Sequence, residues 1–204
     1  MLLFSMAVKS RRLEYKELTR AAVLEAAAEQ FAARGYTATS IDDVADMARV
    51  SKGTVYYHFA DKAHLFEAVF RDRQTRLLDQ VMAVVEGRSG PWDELTAGLD
   101  AYLTGAVADP VHRRLMQEAP VALGAGRCRE IDGEIGLPVL RAALEDLAAR
   151  GELIEQPTGI LARILFGALC EAVMAVVADP HPAQARQQAT AALRALTNGL
   201  HRGA

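Results

Sequence analysis

Hydroxyl, ammonium and phenol groups crowd one short segment of this 204-residue chain, residues 51–58. The segment reads SKGTVYYH, in which Lys52 brings a positive charge, Thr54 a hydroxyl and a methyl, and Tyr56 with Tyr57 two adjacent phenols. Such groups form hydrogen bonds with phosphate oxygens and base edges, and a threonine methyl fits against the methyl of thymine. The chemistry that these residue types predict is recognition of double-stranded DNA.

Flanking residues extend the predicted contact surface. Thr39 and Ser40 stand at the start of a predicted helix, where a hydroxyl and free backbone N–H groups can meet a phosphate. His58 is interpreted as a phosphate contact or a solvated residue, and Lys62 as a phosphate clamp. The predicted DNA-contacting residues are Thr39, Ser40, Arg49, Ser51, Lys52, Thr54, Tyr56, Tyr57, His58 and Lys62.

The patterns of catalysis and metal binding are missing from the sequence. It contains no HExxH, Walker A or nucleophile-elbow pattern, and its five histidines are scattered. Cys128 and Cys170 lack the spacing of metal ligands and are interpreted as free thiols in a reducing cytoplasm. The sequence therefore predicts a cytoplasmic protein that is not an enzyme and holds no metal or cofactor.

Two apolar stretches raise the question of a membrane. The start, MLLFSMAV, is shorter than the apolar core of a signal peptide and lacks a small-residue cleavage site. Residues 160–178 approach the length of a membrane span but contain Arg163 and Glu171, which are costly inside a bilayer. This second stretch is interpreted as a helix buried on all sides, in part by another subunit.

Two short helices joined by a tight turn must position the predicted contact residues. Ser40 caps the first helix, with Asp43 three residues later in a variant capping box, and Ser51 caps the second. For Ser40, a capping role and a phosphate contact are compatible. The arrangement is that of a helix-turn-helix, in which the second helix enters the major groove of DNA.

The rest of the chain is predicted to be helical as well, because no segment shows sustained alternation of β-branched residues. The fold class is all-α with about nine helices, including one over 16–34 that Gly35 ends, one that stops before Pro120, and one over 129–150. The predicted domains are a basic amino-terminal arm (1–15), the helix-turn-helix domain (16–62) and a larger helical domain (63–204).

Charge is distributed unevenly along the chain, although the net charge is only -3. Residues 1–62 hold nine basic and eight acidic residues, or +1, and residues 63–204 hold fourteen and eighteen, or -4. Five of the nine basic residues lie between Lys9 and Arg20, which predicts an arm that contacts phosphates. A frayed, solvated terminus is the alternative.

The run from Arg20 to Phe70 resembles the DNA-binding domain of tetracycline-repressor-type (TetR family) transcriptional regulators. The strongest elements are FAARGYTATS, VSKGTVYYHF and DKAHL, which follow in that family's order and spacing. The later helices are similar to the family's ligand-binding and dimerisation domain only in number and length. The resemblance implies a homodimeric repressor that a small hydrophobic or amphipathic effector releases from a palindromic operator. The alternative is a helical dimeric ligand sensor that binds no operator.

The resemblance also implies two sites in the larger domain. The last two long helices would form a four-helix dimer interface, and the helices before them would line an effector pocket, for which plain core is the alternative. His112, Glu118 and Arg163 are candidate polar anchors there. The predicted interface residues are Leu165, Leu169, Val173, Ala192, Leu196 and Leu200, and the predicted pocket residues are Trp92, Tyr102, Met116, Phe166, Cys170 and Met174.

One residue departs from the family's pattern. The family commonly has glycine in the turn, as in A-G-V-S, where this chain has Ala48-Arg49-Val50-Ser51. A non-glycine residue with positive φ costs about 1 kcal/mol, and the arginine adds a positive charge beside the DNA backbone. Arg49→Gly is therefore predicted to raise thermal stability and to weaken non-specific DNA binding.

Overall fold

The computed structural model describes the backbone of residues 2–202 and the surroundings of the side chains of residues 14–202. Within those residues it contains ten helices and no strand beyond an isolated bridge between Leu153 and His201, so the all-α prediction is confirmed. The helices are α1 (Leu2–Ala38), α2 (Ile41–Ala48), α3 (Lys52–His58), α4 (Lys62–Val85), α5 (Pro91–Ala108), α6 (Pro110–Ala122), α7 (Ala125–Ile135), α8 (Leu137–Ala149), α9 (Thr158–Ala178) and α10 (Pro182–Asn198).

The first helix is longer than predicted. It begins at Leu2 instead of near Lys16, because residues 2–15 are mostly good helix formers. Its helical conformation is interrupted at Gly35, which has φ 80° and ψ 163°, a region that side-chain-bearing residues avoid. The side chains of residues 1–13, which carry most of the predicted basic arm, lie outside the described residues.

An aromatic cluster holds the helix-turn-helix to the rest of the molecule. The rings of Phe31 and Tyr36 on α1 pack against Phe66 on α4, with centroids 5.0 and 5.4 Å from that of Phe66. Leu65 is fully buried beside Phe66. Tyr36 therefore packs between Phe31 and Phe66 and supports the junction of α1 with α4.

Helix α4 joins the two parts of the fold. Its 24 residues give it a length of about 36 Å, enough to run from its contacts with α1 into the carboxyl-terminal helices. It packs against α1, α5, α6 and α7. A displacement of α4 therefore reaches both parts of the molecule.

Two predicted helix boundaries are wrong. The helix expected over 129–150 is two helices, α7 and α8, which meet at Gly136. Pro138 has no N–H for the helix ladder, and a Cβ at Gly136 would lie 2.6 Å from Cε2 of Phe166. The helix expected to stop before Pro120 continues to Ala122. Its last turn is closed by hydrogen bonds from the backbone N–H groups of Leu123 and Gly124 to the carbonyls of Ala119 and Pro120.

Helix α9 is apolar on all sides, but the chain covers only part of it. Leu165, Leu169 and Val173 are buried, whereas Ile160 and Ile164 are 59% and 65% exposed. Among the described residues, α9 is also the one helix long and apolar enough to cross a membrane by length and composition. Core helices of soluble proteins meet the same criterion, and α9 packs against α5, α8 and α10.

Candidate nucleic-acid interface and effector cavity

A reciprocal pair of hydrogen bonds begins α2. The backbone N–H of Asp43 donates to Oγ of Ser40 (3.1 Å), and the backbone N–H of Ser40 donates to Oδ2 of Asp43 (2.9 Å). The hydroxyl of Ser40 also donates to that oxygen (2.6 Å), and Arg34 lies 2.7 Å from the other. These hydrogen bonds, aided by Arg34, lower the pKa of Asp43 to about 2, so its carboxylate caps α2 at any ordinary pH.

Arg49 closes α2 in a left-handed conformation, with φ 56° and ψ 42°. Within residues 2–202 it is the only non-glycine residue with positive φ. Its backbone N–H donates to the carbonyls of Ala45 and Asp46, which ends the helix. The side chain is exposed, so its charge is available at the surface that α2 and α3 share.

The hydroxyls and the ammonium of α3 are exposed and bonded only to neighbours. Ser51 caps α3 by accepting from the backbone N–H of Thr54 (3.1 Å), and the two hydroxyls lie 2.8 Å apart. Nζ of Lys52 lies 2.7 Å from a carboxylate oxygen of Asp42 on α2, and both side chains are more than half exposed. Exposed ion pairs contribute little to stability, so Lys52 can exchange Asp42 for a phosphate at low cost.

Aromatic rings and basic side chains continue this surface beyond Lys52. Tyr56 and Tyr57 are 48% and 70% exposed. Lys16 of α1 lies 5.3 Å from the centre of the Tyr57 ring. His58 is half-buried beside Tyr57, and burial lowers its pKa, with the charges of Lys16 and Arg20 adding to the effect. His58 is therefore a neutral hydrogen-bonding group at neutral pH.

Two predicted DNA contacts are wrong in this structure. Thr39 is 1% exposed, and its hydroxyl donates to the carbonyls of Gly35 (2.8 Å) and Gln30 (3.1 Å). Nζ of Lys62 donates to the carbonyls of Tyr36, Thr37 and Thr39 at 2.9 to 3.3 Å. These donors bond the free carbonyls at the end of α1, so neither side chain is available to a phosphate.

Sequence reasoning assigned Lys16 and Arg20 to a charged arm without placing them on the recognition surface. Arg20 lies 5.6 Å from the ring centre of Phe59, next to the end of α3. The cluster of basic residues between Lys9 and Arg20 indicates phosphate contacts. It does not show that the helical geometry of α1 brings two of these residues beside α3.

A single carboxylate connects the helix-turn-helix to the larger domain at the interruption of α1. Glu118 on α6 accepts a hydrogen bond from the backbone N–H of Tyr36 (2.9 Å), and Arg114 lies 2.9 Å from its other oxygen. A Cβ on Gly35 would lie only 3.2 Å from Glu118. Glu118 is therefore occupied here, and the interpretation of it as an effector anchor is wrong.

Ion pairs clamp the first half of α4 to its neighbours. Glu67 lies 2.6 Å from Arg127 of α7 and 2.9 Å from Arg71. The hydrogen bonds from Arg127 first, and from Arg71, lower the pKa of Glu67 to about 2 against the effect of burial. Arg73 lies 2.7 Å from Glu25 of α1. Together these pairs tie α4 to both α1 and α7.

A cavity of about 410 Å³ lies between α4, α5, α8 and α9. Its size is that of a small-molecule site, and among the described residues of its wall only Glu94 is charged. The lining residues are Leu78, Val81, Met82, Val85, Glu94, Leu95, Gly98, Leu99, Tyr102, Gly136, Val139, Leu140, Ala142, Ala143, Phe166 and Leu169.

Of the six predicted pocket residues, only Tyr102 and Phe166 line this cavity. Trp92, Met116, Cys170 and Met174 are not among the residues that line it. The Trp92 ring stacks on His201 with centroids 4.3 Å apart, and the sulfur of Met116 contacts the amide of Gln74. Cys170 and Met174 pack against the core elsewhere.

The remaining candidate anchors do not line the cavity either. His112 is 4% exposed, and burial lowers its pKa to about 4, so it is a neutral core residue. Arg163 is exposed on α9.

Three of the six predicted interface residues are buried within the chain, and two are exposed. Leu165, Leu169 and Val173 are buried inside the chain, and Leu169 also lines the cavity. Leu200 is half-buried, with its carbonyl bonded to the backbone N–H of Ile154 (2.9 Å). Ala192 and Leu196 are exposed, as an interface requires.

A helix-turn-helix with an exposed second helix, carried on a larger helical body that contains a cavity, is the arrangement of a DNA-binding transcription regulator. Comparison with known families agrees. Residues 23–69 match the family described as bacterial regulatory proteins, tetR family. Residues 92–200, more than half of the chain, match the tetracyclin repressor-like C-terminal domain. The chain belongs to the TetR family of transcriptional regulators.

Individual relatives support the same assignment. A TetR-family transcriptional regulator from Pectobacterium atrosepticum has a TM-score of 0.82 and 27% identity, covering 93% of this chain and 97% of its own. The TetC protein of transposon Tn10 from Escherichia coli is 24% identical over 78% of this chain and 80% of its own length. The transcriptional regulator TtgR of Pseudomonas putida is 41% identical over 59 residues, 29% of this chain and 28% of its own length.

Proposed function

We propose that the chain is a cytoplasmic, homodimeric repressor that leaves a palindromic operator when a small hydrophobic or amphipathic effector fills the cavity. The observation that carries this proposal is the double role of α4. Phe66 packs against Phe31 and Tyr36 of α1, the helix that leads into α2, and Leu78, Val81 and Met82 of the same α4 line the cavity. An effector that moves the cavity end of α4 therefore moves the DNA-reading end.

The DNA surface proposed here is narrower than the sequence predicted. It consists of the exposed or half-exposed side chains of the turn and α3, together with the basic residues of α1 that lie beside them. Thr39 and Lys62 are left out because their side chains donate hydrogen bonds to backbone carbonyls near the carboxyl-terminal end of α1. The proposed contact residues are Lys16, Arg20, Ser40, Arg49, Ser51, Lys52, Thr54, Tyr56, Tyr57 and His58.

Switching follows from the spacing of two recognition helices. In a dimer on a palindrome, the two copies of α3 must lie about 34–36 Å apart to enter successive major grooves. An effector that changes this distance stabilises the non-binding state. A shift from 1:99 to 99:1 between two states takes about 5.5 kcal/mol of differential binding, which sets the scale of the effect.

The exposed faces of α9 and α10 support a symmetric dimer. Ile160 and Ile164 on α9 and Leu196 on α10 are each more than half exposed, and Ala192 allows close helix packing beside Leu196. Large apolar side chains grouped in this way mark an interaction site. Two copies related by a two-fold axis would bury the same patch on each subunit.

Binding to DNA from upstream of the chain's own gene tests the regulator function. In a gel shift at fixed salt, we expect a sub-micromolar, palindrome-specific complex. Lys52→Ala should weaken it about tenfold. Arg141→Ala removes the same charge from an exposed pair on α8 and should leave affinity unchanged. Weak, sequence-blind binding by the wild type would favour the alternative, a helical dimeric ligand sensor that binds no operator.

Light scattering tests the dimer. Ile164→Glu places a charge in the proposed interface and should shift the protein to a monomer. Val121→Glu changes an equally apolar residue that is 70% exposed at the end of α6, and should leave the mass unchanged. A monomeric wild type, or a dimer that survives Ile164→Glu, would contradict the proposed interface.

A further inference from the structure

A polar cluster of Tyr102, Gln74 and Asp132 adjoins the cavity at Tyr102. Tyr102 lines the cavity, and its hydroxyl donates to Oε1 of Gln74 on α4 (3.4 Å). Gln74 is 2% exposed, and its Nε2 donates to Oδ1 of Asp132 on α7 (2.7 Å). The cluster therefore links Tyr102 of α5 to α4 and α7 through side-chain hydrogen bonds.

Asp132 is a carboxylate without a cation. Among the described residues, Gln74 is its one hydrogen-bond donor from a side chain, and it takes part in no ion pair. An ionised carboxylate accepts about four hydrogen bonds, so most of its capacity is unused. Burial raises its pKa to about 6, and the hydrogen bond from Gln74 offsets this only in part. Asp132 is half-buried, and a carboxylate that is partly removed from water normally has a partner.

The position of Asp132 indicates where a partner would come from. Gly136 lies one helical turn after Asp132, and its backbone N–H donates to the Asp132 carbonyl (2.9 Å). Gly136 lines the cavity, in close contact with the ring of Phe166. Asp132 itself is not among the residues that line the cavity, and it is linked to the wall through Gln74 and the Tyr102 hydroxyl.

We propose that Asp132, Gln74 and Tyr102 form the polar end of the effector site, and that the effector is a hydrophobic amine. Its ammonium group pairs with Asp132, and its apolar body fills the cavity. This inference rests on the proposed effector response. Charge supports the assignment, because the cavity wall has no basic residue and its only charged residue is Glu94. A carboxylate effector would meet negative charges at both ends and no cation.

The same contact gives the effector a direct hold on α4. An ammonium at Asp132 takes the place of the Gln74 amide, which must then turn away or rebond. Because Gln74 lies between the clamped part of α4 and the part that lines the cavity, its displacement changes the packing where the two meet. Effector binding and movement of α4 are then one event.

Three probes with the same apolar body test the inference. Phenylbutylamine, phenylbutanol and phenylpentanoate, each with a terminal ring, carry an ammonium, a hydroxyl and a carboxylate on one phenylbutyl chain. Binding to the full chain is measured by titration calorimetry at neutral pH. We expect the amine to bind at least about tenfold more tightly than the alcohol, as one buried ion pair warrants, and the carboxylate most weakly.

Two isosteric variants identify the carboxylate responsible. Asp132→Asn keeps the shape and an acceptor for Gln74, and should abolish the preference for the amine while leaving alcohol binding unchanged. Glu94→Gln removes the charge from the cavity wall and should keep the preference. Circular dichroism confirms that both variants are folded.

The outcomes separate this inference from the proposed function. If the alcohol binds and releases operator DNA but the amine has no advantage, the amine assignment is wrong and the effector response stands. A preference that survives Asp132→Asn, or that Glu94→Gln removes, also overturns the assignment to Asp132. If none of the three probes binds or releases DNA, both the amine site and the effector cavity are contradicted.

Discussion

The two ends of α4 are held in opposite ways. Residues 62–76 are held by polar bonds in addition to the aromatic packing of Phe66: Lys62 bonds the end of α1, Glu67 pairs with Arg127, and Arg73 pairs with Glu25. Residues 77–85 meet their neighbours through apolar side chains that form the wall of a cavity. Directional ion pairs resist displacement, whereas apolar packing around a cavity can rearrange at smaller cost. The difference suggests a stiff end that carries the DNA-reading helices and a compliant end that senses the effector.

Two carboxylates at the interface of α4 and α7 show the same contrast. Glu67 has two arginine partners, and its pKa is lowered to about 2. Asp132 has a neutral amide partner, and its pKa is raised to about 6. One carboxylate is therefore paired with cations within the chain, and the other is the group that we propose pairs with the ammonium of the effector.

The largest effect is expected where α1 meets α6, at Gly35 and Glu118. Gly35→Ala puts a side chain at φ 80°, ψ 163° and 3.2 Å from Glu118, so we expect a loss of about 2 kcal/mol in unfolding free energy. Urea denaturation measures it. Gly133→Ala is the control, because that glycine lies within α7 with open space around it, and should stabilise the chain slightly. Equal effects of the two changes would contradict a special role for Gly35.

Neutralising Glu67 should weaken the clamp. Glu67→Gln leaves Arg71 and Arg127 without their shared carboxylate, and we expect a loss of about 1 kcal/mol at pH 7. Because the folded-state pKa is lowered from 4.5 to about 2, this stabilisation is complete above pH 4.5 and disappears as the pH falls toward 2. Urea unfolding between pH 2.5 and pH 7 measures the slope. Glu145→Gln, in an exposed pair with Arg141, should change stability much less.

Asp132 should give a pH dependence of opposite sign. Its folded-state pKa is raised from 3.8 to about 6, so its contribution is complete below pH 3.8 and is lost as the pH rises through 6. Asp132→Asn should remove this decline and raise stability at pH 7 by about 1 kcal/mol. The same unfolding series measures it. A decline between pH 4 and 6 that persists in the variant would assign it to another group.

The smallest effect is expected at a residue outside both ends of α4. Arg49 adopts a left-handed conformation that is unfavourable for a residue with a side chain. Arg49→Gly should therefore raise the free energy of unfolding by up to about 1 kcal/mol. It should also weaken non-specific DNA binding and reduce the salt slope of that binding by about 1. Thermal unfolding and salt-dependent gel shifts measure the two effects. A lower melting temperature would contradict the strain at this turn.

The helix-turn-helix was predictable because its signals are local. Ser40, Asp43 and Ser51 cap helices within three residues, and Arg49 ends α2 beside them. Thr39 and Lys62 were misassigned because their residue types suit DNA equally well. Their actual partners depend on how α1 and α4 meet, which no local pattern encodes.

The larger domain was less predictable for a different reason. On α9 both faces are apolar, so periodicity does not distinguish the buried Leu165 from the exposed Ile164, although one residue turns the side chain by about 100°. The cavity wall collects residues from four helices, and Asp132 lies in a polar stretch that resembles any solvated surface. Only the packed structure shows that this carboxylate is half-buried and pairs with no cation among the described residues.

The three carbonyls that hold Lys62 have a practical consequence for chemical labelling. The chain has four lysines, Lys9, Lys16, Lys52 and Lys62, all within its first 62 residues. Acylating reagents need an amine free of its partners, so the exposed Lys16 and Lys52 should react well before Lys62. Amine coupling to a sensor surface would attach the protein through its DNA-reading side. The slow acylation of Lys62 would then measure how often the end of α1 opens.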